Sequence, residues 1–301
     1  MRILAPILCA LAAAAFQPSG QARAQPVAAV HGEVRLPHIS IQSMGRGDPV
    51  VLIPGLSTPR DVWNGIAPGL AQNHRVLLVQ VNGFAGDNPG ANHGPGVLEG
   101  IVRDLHSYVA DQRLGRVPVI GHSMGGLVGM MLAAEQPAVV SRVMVVDALP
   151  FAGAMLDEHA TVDAVRPVAA MLKSKLSAGY SGPDGASAAA ANARALTAKP
   201  KSAAQVTAWI RKADANVSAQ AMAEDLLTDM RPKLASISAS MTIVHPATAL
   251  GRDLEATSAF YQGQFTGAKR IDFVTVPDSG HFIMLDQPEA FAGLVSTFLR
   301  E

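Results

Sequence analysis

The segment Gly121-His122-Ser123-Met124-Gly125 places a serine between two glycines in the pattern G-x-S-x-G. It directly follows the apolar run 117–120 and directly precedes an apolar helical pattern. That context is typical of a nucleophile elbow, a sharp turn from strand to helix that presents a serine hydroxyl at the edge of a sheet. The chemistry it predicts is attack of Ser123 on a carbonyl carbon.

A serine hydroxyl is a weak nucleophile on its own, so Ser123 needs a base. His281 is the candidate, because it lies between the last predicted strand and the last predicted helix, where the histidine of such a site belongs in chain order. His245 also ends a predicted strand and is the rival, although we interpret it as a packed or pocket-lining residue. The other histidines show no ligand spacing such as H-x-x-x-H, so we expect no metal and no cofactor.

The elements that position these residues are short, nearly continuous apolar runs. Such runs are typical of the strands of a parallel sheet that is buried on both faces. They alternate with helical patterns such as 98–109, which predicts an α/β fold with a mostly parallel sheet flanked by helices. The stretch 32–43 is expected to add an antiparallel edge hairpin. For the last helix, Asp286 is the expected N-cap, with Glu289 at the third helical position. The predicted strands are 50–53, 76–81, 117–120, 142–146, 241–244 and 271–276.

Three regions are expected along the 301 residues. Arg2, the apolar run 3–16 and Ala22-Arg23-Ala24 predict a cleavable signal peptide over residues 1–24, and hence a periplasmic or secreted protein. That run is too short to span about 30 Å of hydrocarbon, so no stable membrane insertion is expected after cleavage. Residues 25–150 and 233–301 form the predicted α/β core, and the Ala-rich stretch 151–232 is a predicted helical cap.

Composition narrows the possible partners. Lys and Arg balance Asp and Glu at 24 each, which argues against a nucleic-acid binder because that function needs a basic face. Hydrophobic residues make up 49% of the chain and charged residues 16%, so a large core is expected rather than disorder. A single cysteine excludes a disulfide scaffold and a Cys-rich metal site. A small molecule is the expected partner.

The elbow, the late histidine and the loop after the first parallel strand together resemble the α/β-hydrolase superfamily, in the serine-nucleophile branch whose helical cap follows the sixth strand. The resemblance extends from about Gly47 to Arg300. It implies an oxyanion hole made by the backbone N–H groups of Leu56 and Met124, although Pro54-Gly55 stands where many relatives have His-Gly. Phe84, His122 and Ser57 are the candidates for substrate binding. Phe84 could equally be a packed loop residue, Ser57 could equally cap the next segment, and the side chain of His122 is expected to point away from Ser123.

The resemblance also implies a carboxylate that orients His281, and two positions compete for this role. Asp147 ends the sixth strand, where some relatives carry the acid, but it could instead cap the first cap helix. Asp253 lies about three residues beyond the usual position after the seventh strand, and Glu255 and Asp278 are weaker alternatives. The choice between Asp147 and Asp253 stays open at the level of sequence.

The function that the resemblance implies is hydrolysis of carboxylic esters of small to medium apolar substrates through an acyl-enzyme, with water as acceptor. A serine at the elbow disfavours dehalogenase and epoxide hydrolase chemistry, since relatives with those activities carry aspartate there. A carbon–carbon bond hydrolase, a lactonase or an amidase would use the same three residues. A ligand receptor of the same fold with slow turnover is the alternative from another class.

Overall fold

The computed structural model describes residues 30–179 and 182–300 and contains one eight-stranded sheet. The predicted signal peptide, residues 1–24, lies outside the described residues. The strand order is β1-β2-β4-β3-β5-β6-β7-β8, in which β1 and β2 are antiparallel and the strands from β4 to β8 are parallel. The strands are β1 Val30–Arg35, β2 Ile39–Met44, β3 Asp48–Ile53, β4 His74–Val81, β5 Val117–His122, β6 Val140–Val146, β7 Ser240–Pro246 and β8 Ile271–Val276.

Helices cover both faces of the sheet, and further helices lie between β6 and β7. The longest one outside that insertion, over 97–111, has its apolar residues at helical spacing and buries them against the sheet. The helices are α1 Ala67–Leu70, α2 Val97–Asp111, α3 Met124–Glu135, α4 Val162–Ser177, α5 Gly182–Ala195, α6 Pro200–Lys212, α7 Ala215–Leu227, α8 Leu254–Gln264, α9 Ile283–Asp286 and α10 Pro288–Arg300. None of the described helices is long and apolar enough to cross a membrane.

Two hydrophobic cores stabilise the molecule, one on each face of the sheet. Alternate residues of one strand enter different cores: Val51 and Ile53 join the core that includes α2 and α3, whereas Leu52 joins the core that includes α10. In the second core the rings of Trp63 and Phe291 stack at 6.2 Å. The strands are buried on both faces because helices cover both, which explains their continuous apolar sequences.

The structure confirms the predicted α/β class, the six parallel strands and the antiparallel edge hairpin. The predicted N-cap role of Asp286 is wrong, because Asp286 is the last residue of α9 and its carboxylate accepts hydrogen bonds from two other loops. Within 151–232 every described secondary-structure element is helical, and the division into core and cap remains a prediction.

Candidate active site

Ser123 lies at the turn between β5 and α3, at the carboxyl edge of the sheet. Its backbone has φ 54° and ψ −127°, a region that non-glycine residues rarely adopt and that marks local strain. Its N–H donates to the carbonyl of Val146 at 2.9 Å, which fixes the turn to the end of the neighbouring strand β6. The surrounding structure thus holds the serine in a strained and half-buried position.

Gly121 and Gly125 make this tight turn possible. A Cβ atom at Gly121 would lie 2.1 Å from the carbonyl oxygen of Gly125, and one at Gly125 would lie 2.4 Å from that of Ile53. Both distances are shorter than van der Waals contact allows, and both involve backbone atoms that cannot rotate away. The pattern G-x-S-x-G is therefore a steric requirement of the turn in this molecule.

Asp147 lies beside Ser123 because of the strand register. His122 of β5 pairs with Val146 of β6, so the residues that follow each strand emerge next to each other at the same edge. Asp147 has φ 47°, and its N–H donates to the carbonyl of Val244 at 2.7 Å. The acid is thereby fixed through its backbone to the third strand of this edge, β7.

His281 follows β8 and directs its Nδ1 to Asp147 Oδ2 at 2.7 Å. The other carboxylate oxygen, Oδ1, accepts a hydrogen bond from the hydroxyl of Tyr261 in α8. Burial, and to a smaller extent the negative charge of Asp147, hold the pKa of Tyr261 well above its ordinary value, so the phenol keeps its proton and acts as a donor. The two hydrogen bonds fix the orientation of the carboxylate, and His281 Nε2 makes no hydrogen bond within the described part of the chain.

The loop that carries His281 is held by the buried carboxylate of Asp286. Its Oδ2 accepts from the backbone N–H of Gly280 at 2.9 Å and from that of Ala198 at 2.8 Å, so it joins this loop to the connection between α5 and α6. In addition, the N–H of Phe282 donates to the carbonyl of Leu196 at 3.3 Å. The imidazole is therefore positioned partly by the helices between β6 and β7.

The predicted oxyanion loop forms a tight turn against the elbow. Thr58 N–H donates to Gly55 O at 3.2 Å, and Ser57 takes a positive φ of 55° within the turn. A Cβ at Gly55 would lie 3.0 Å from Ser123 Cβ, so the loop approaches the serine as closely as a glycine allows. Leu56 follows Gly55 directly, and Met124 is the first residue of α3, whose N–H has no acceptor within the helix. The two amides expected to bind an oxyanion thus adjoin Ser123.

The three residues suggested for substrate binding have other contacts. Phe84 has no exposed surface and packs in the core, and Ser57 donates a buried hydrogen bond to Ser218 of α7 at 2.8 Å. His122 is also fully buried, and its Nε2 lies 3.0 Å from the carbonyl oxygen of His281, which makes it the donor. Burial, together with the nearby His281, holds the pKa of His122 well below its ordinary value. Their positions favour packing and hydrogen-bonding roles over direct contact with substrate.

The alternative base and acids make other contacts. His245 is buried, stacks on Tyr261 with ring centroids 4.5 Å apart, and hydrogen-bonds to the backbone of Pro246 at 2.8 Å. Asp253 is exposed and caps α8 by accepting from the N–H of Ala256 at 2.9 Å. Glu255 and Asp278 are exposed as well. The carboxylate that bonds to His281 is that of Asp147, so the structure favours Asp147 over Asp253.

The assembled groups can perform nucleophilic acyl transfer. The helix dipole of α3 and the two amides favour negative charge beside Ser123, while the Asp147–His281 pair can accept and return a proton. Within residues 30–179 and 182–300, Ser123 Oγ makes no hydrogen bond, and catalytic hydrogen bonds of this kind often tighten only when substrate binds. The same described residues hold no group of three His, Cys, Asp or Glu side chains placed to bind a metal ion.

Sequence reasoning did not identify Tyr261. Its hydroxyl meets Asp147 across 114 positions of the chain, and its helix reads as an ordinary amphipathic segment.

A depression of about 320 Å³ near Gly45 and Arg75 lies at the other end of the parallel strands, so it is separate from this site.

Comparison with known proteins agrees with the fold. The model of the alpha/beta hydrolase family matches residues 50–294. A pimeloyl-[acyl-carrier protein] methyl ester esterase of Aeromonas hydrophila is 33% identical over 99 residues, which are 33% of this chain and 37% of that protein. The esterase structure from Exiguobacterium antarcticum has a TM-score of 0.71 at 17% identity, over 87% of this chain and 96% of that one. The enol-lactonase structure from Burkholderia xenovorans has a TM-score of 0.67 at 20% identity, over 92% of this chain and all of that one.

The chain belongs to the alpha/beta hydrolase family, because the family match covers most of its length. The named proteins similar to it include esterases, lipases and a lactonase. The aligned region spans about a third of the length of the first curated relatives, and the similar structures at these identities show the fold alone.

Proposed function

We propose that this hydrolase cleaves carboxylic esters of small to medium apolar substrates through an acyl-enzyme on Ser123, with water as the acceptor. The observation that carries the proposal is the combination of the strained serine, at φ 54° and ψ −127°, with the 2.7 Å contact between His281 Nδ1 and Asp147 Oδ2 at the same sheet edge. Strained backbone of this kind persists only where the surrounding structure enforces it, which favours a functional role.

In the proposed reaction His281 Nε2 takes the proton of Ser123 Oγ as the oxygen attacks the ester carbonyl carbon. The N–H groups of Leu56 and Met124 stabilise the oxyanion, and each such donor is typically worth about 10²–10³ in kcat. Protonated His281 then gives its proton to the leaving alcohol oxygen, and the ester bond breaks. Water repeats the sequence on the acyl-enzyme and releases the acid. Asp147 holds the imidazole tautomer throughout and stabilises its charged form.

The helices between β6 and β7 support the proposed substrate size. Ser218 of α7 contacts the oxyanion loop, and the connection before α6 contacts the His281 loop, so these helices cover the reacting groups from two sides. The insertion is rich in Ala and Met, which suits an apolar and adaptable binding surface.

The test is hydrolysis of p-nitrophenyl butyrate by the wild-type protein, by Ser123→Ala and by Ser107→Ala, a matched control at an exposed position of α2. The proposal predicts turnover by the wild type and the control, and a fall of several orders of magnitude for Ser123→Ala. Equal turnover by all three would contradict it. If the protein does not hydrolyse esters but cleaves lactones, amides or carbon–carbon bonds through Ser123, the proposed mechanism stands and the proposed substrate class is wrong.

We also propose that the protein is exported to the periplasm or secreted. Support comes from the basic start, the apolar run and the small-residue cleavage site within residues 1–24.

A further inference from the structure

Helix α7, over Ala215–Leu227, lies across the carboxyl edge of the sheet and makes contacts at both of its ends. At its start, Asp214 N–H donates to Gly83 O at 2.7 Å, next to the loop that follows β4. Near its end, Glu224 accepts hydrogen bonds from the N–H groups of Gly96 at 2.6 Å and Leu98 at 2.9 Å, at the start of α2. These contacts fix the rotation of the helix about its own axis.

With that rotation fixed, one face of α7 is directed at the reacting groups. Ser218 occupies this face, because its hydroxyl accepts the 2.8 Å hydrogen bond from Ser57, the residue after Leu56 in the oxyanion loop. Asp225 is seven residues further, and at 3.6 residues per turn it lies on the same face, about 10.5 Å along the axis. Met222 lies between them on that side, whereas Ala219, Ala223 and Leu226 point elsewhere.

At the far end of this face, Asp225 lies within the range over which its charge interacts with that of His281. Asp225 retains part of its solvent exposure, although the protein closely surrounds its carboxyl group. Burial raises the pKa of Asp225 to about 7, and the nearby His281 offsets part of that rise. Among the residues that the structure describes, no side chain or backbone group forms a hydrogen bond with this carboxyl group.

Asp225 is partly exposed, so its carboxyl group is accessible from the site and is not a sealed, unpaired group. A substrate group that donates a hydrogen bond can therefore reach it. Its place in the substrate follows from the chemistry, because His281 protonates the leaving oxygen and the atoms beside His281 are those of the alcohol part. In either protonation state a carboxyl group keeps an oxygen that can accept.

We propose that Asp225 is a specificity-determining residue that binds a hydroxyl group on the alcohol part of the ester. This inference rests on the proposed function, since it assigns the two sides of the substrate from the roles of Ser123 and His281. It makes the preferred substrates monoesters of diols or related hydroxylated alcohols, with an apolar acyl group on the other side.

The test compares hydroxyalkyl butyrates of two to four carbons with alkyl butyrates in which a methyl group replaces the terminal hydroxyl. For the wild type we expect kcat/KM to favour the best hydroxyalkyl ester over its methyl partner by about fivefold, the worth of one hydrogen bond near 1 kcal/mol. Asp225→Ala should abolish the preference, and Asp225→Asn should retain most of it because the amide keeps an acceptor oxygen. Asp163→Asn, at an exposed position of α4, is the control and should leave the ratio unchanged.

The ratio separates recognition from a structural role, because loss of packing would slow both esters of a pair equally. A wild type that cleaves p-nitrophenyl butyrate but shows no hydroxyl preference at any chain length would overturn the role of Asp225 and leave the proposed function standing. An unchanged ratio in Asp225→Ala would overturn it as well. Failure to cleave any of these esters would count against the proposed function and remove the basis of the inference.

Discussion

Asp147→Asn is the change that most sharply examines how the carboxylate works. Each carboxylate oxygen of Asp147 accepts one hydrogen bond, Oδ2 from His281 Nδ1 at 2.7 Å and Oδ1 from the Tyr261 hydroxyl. An asparagine offers one acceptor oxygen and one donor NH₂, so it cannot serve both. If the oxygen keeps Tyr261, the NH₂ faces His281 Nδ1 and moves the imidazole proton to Nε2. The base nitrogen is then blocked.

The size of the effect follows from the charges involved. A carboxylate and an imidazolium about 4 Å apart interact by about 4 kcal/mol at an effective dielectric constant near 20. Both side chains are mostly buried, at 8% and 22% exposed, so screening by water is limited. At about 1.4 kcal/mol for each tenfold change, loss of that stabilisation predicts a fall in kcat of about 10³-fold. The tautomer with the proton on Nε2 would make the fall in kcat larger still.

The assay is kcat for p-nitrophenyl butyrate at pH 8, with circular dichroism to verify folding. Asp253→Asn is the control, because it removes a comparable carboxylate that caps α8 and is exposed. We expect its kcat to match the wild type, with a stability loss of about 1 kcal/mol at most from the weakened cap. Wild-type kcat in Asp147→Asn, or an equally large fall in kcat in Asp253→Asn, would refute this role of the Asp147 carboxylate.

Three further outcomes are expected. Tyr261→Phe removes one hydrogen bond from the Asp147 carboxylate, so steady-state kinetics should show kcat lowered about tenfold with KM unchanged. An unchanged kcat would exclude a positioning role for Tyr261. The raised pKa of Asp225 means that the folded protein binds more protons than the unfolded chain between the ordinary value of 3.8 and about 7, so stability falls as pH rises through that window. Asp225→Asn should therefore raise the free energy of unfolding by about 2 kcal/mol at pH 8 and by little at pH 4. The increase at pH 8 is smaller than the full value of about 1.4 kcal/mol per pKa unit because Asp225 is partly exposed. Urea titrations at the two pH values measure this, and an equal increase at pH 8 and pH 4 would contradict it. Cell fractionation with intact-mass measurement should find an exported chain that lacks residues 1–24, and a full-length chain in the cytosol would refute export.

The sequence predicts the sheet well because each parallel strand is a short run rich in β-branched residues and ended by a glycine, proline, asparagine, aspartate or histidine. The runs 76–81 and 271–276 lie within strands of the same or slightly greater length. Such runs predict strands with little tertiary information, since a sheet covered on both faces requires apolar residues at successive positions.

The acid and its partners depend on contacts that local patterns do not specify. Asp147 and Asp253 both follow strands of the same sheet edge, and the choice between them depends on where the His281 loop descends after β8. That loop is held by Asp286, which local sequence predicts as a helix cap because a proline and a glutamate follow it. The role of Tyr261 is equally hidden from local patterns, since nothing near it in the chain indicates that its hydroxyl reaches Asp147.

The most direct test of the central claim, that Ser123 is the nucleophile, is mass spectrometry after reaction with a fluorophosphonate. We expect a single adduct per chain that maps to Ser123, is absent from Ser123→Ala and forms far more slowly in His281→Ala, where the base is missing. An adduct at another residue, or none in a folded protein that hydrolyses esters, would contradict the assignment of Ser123.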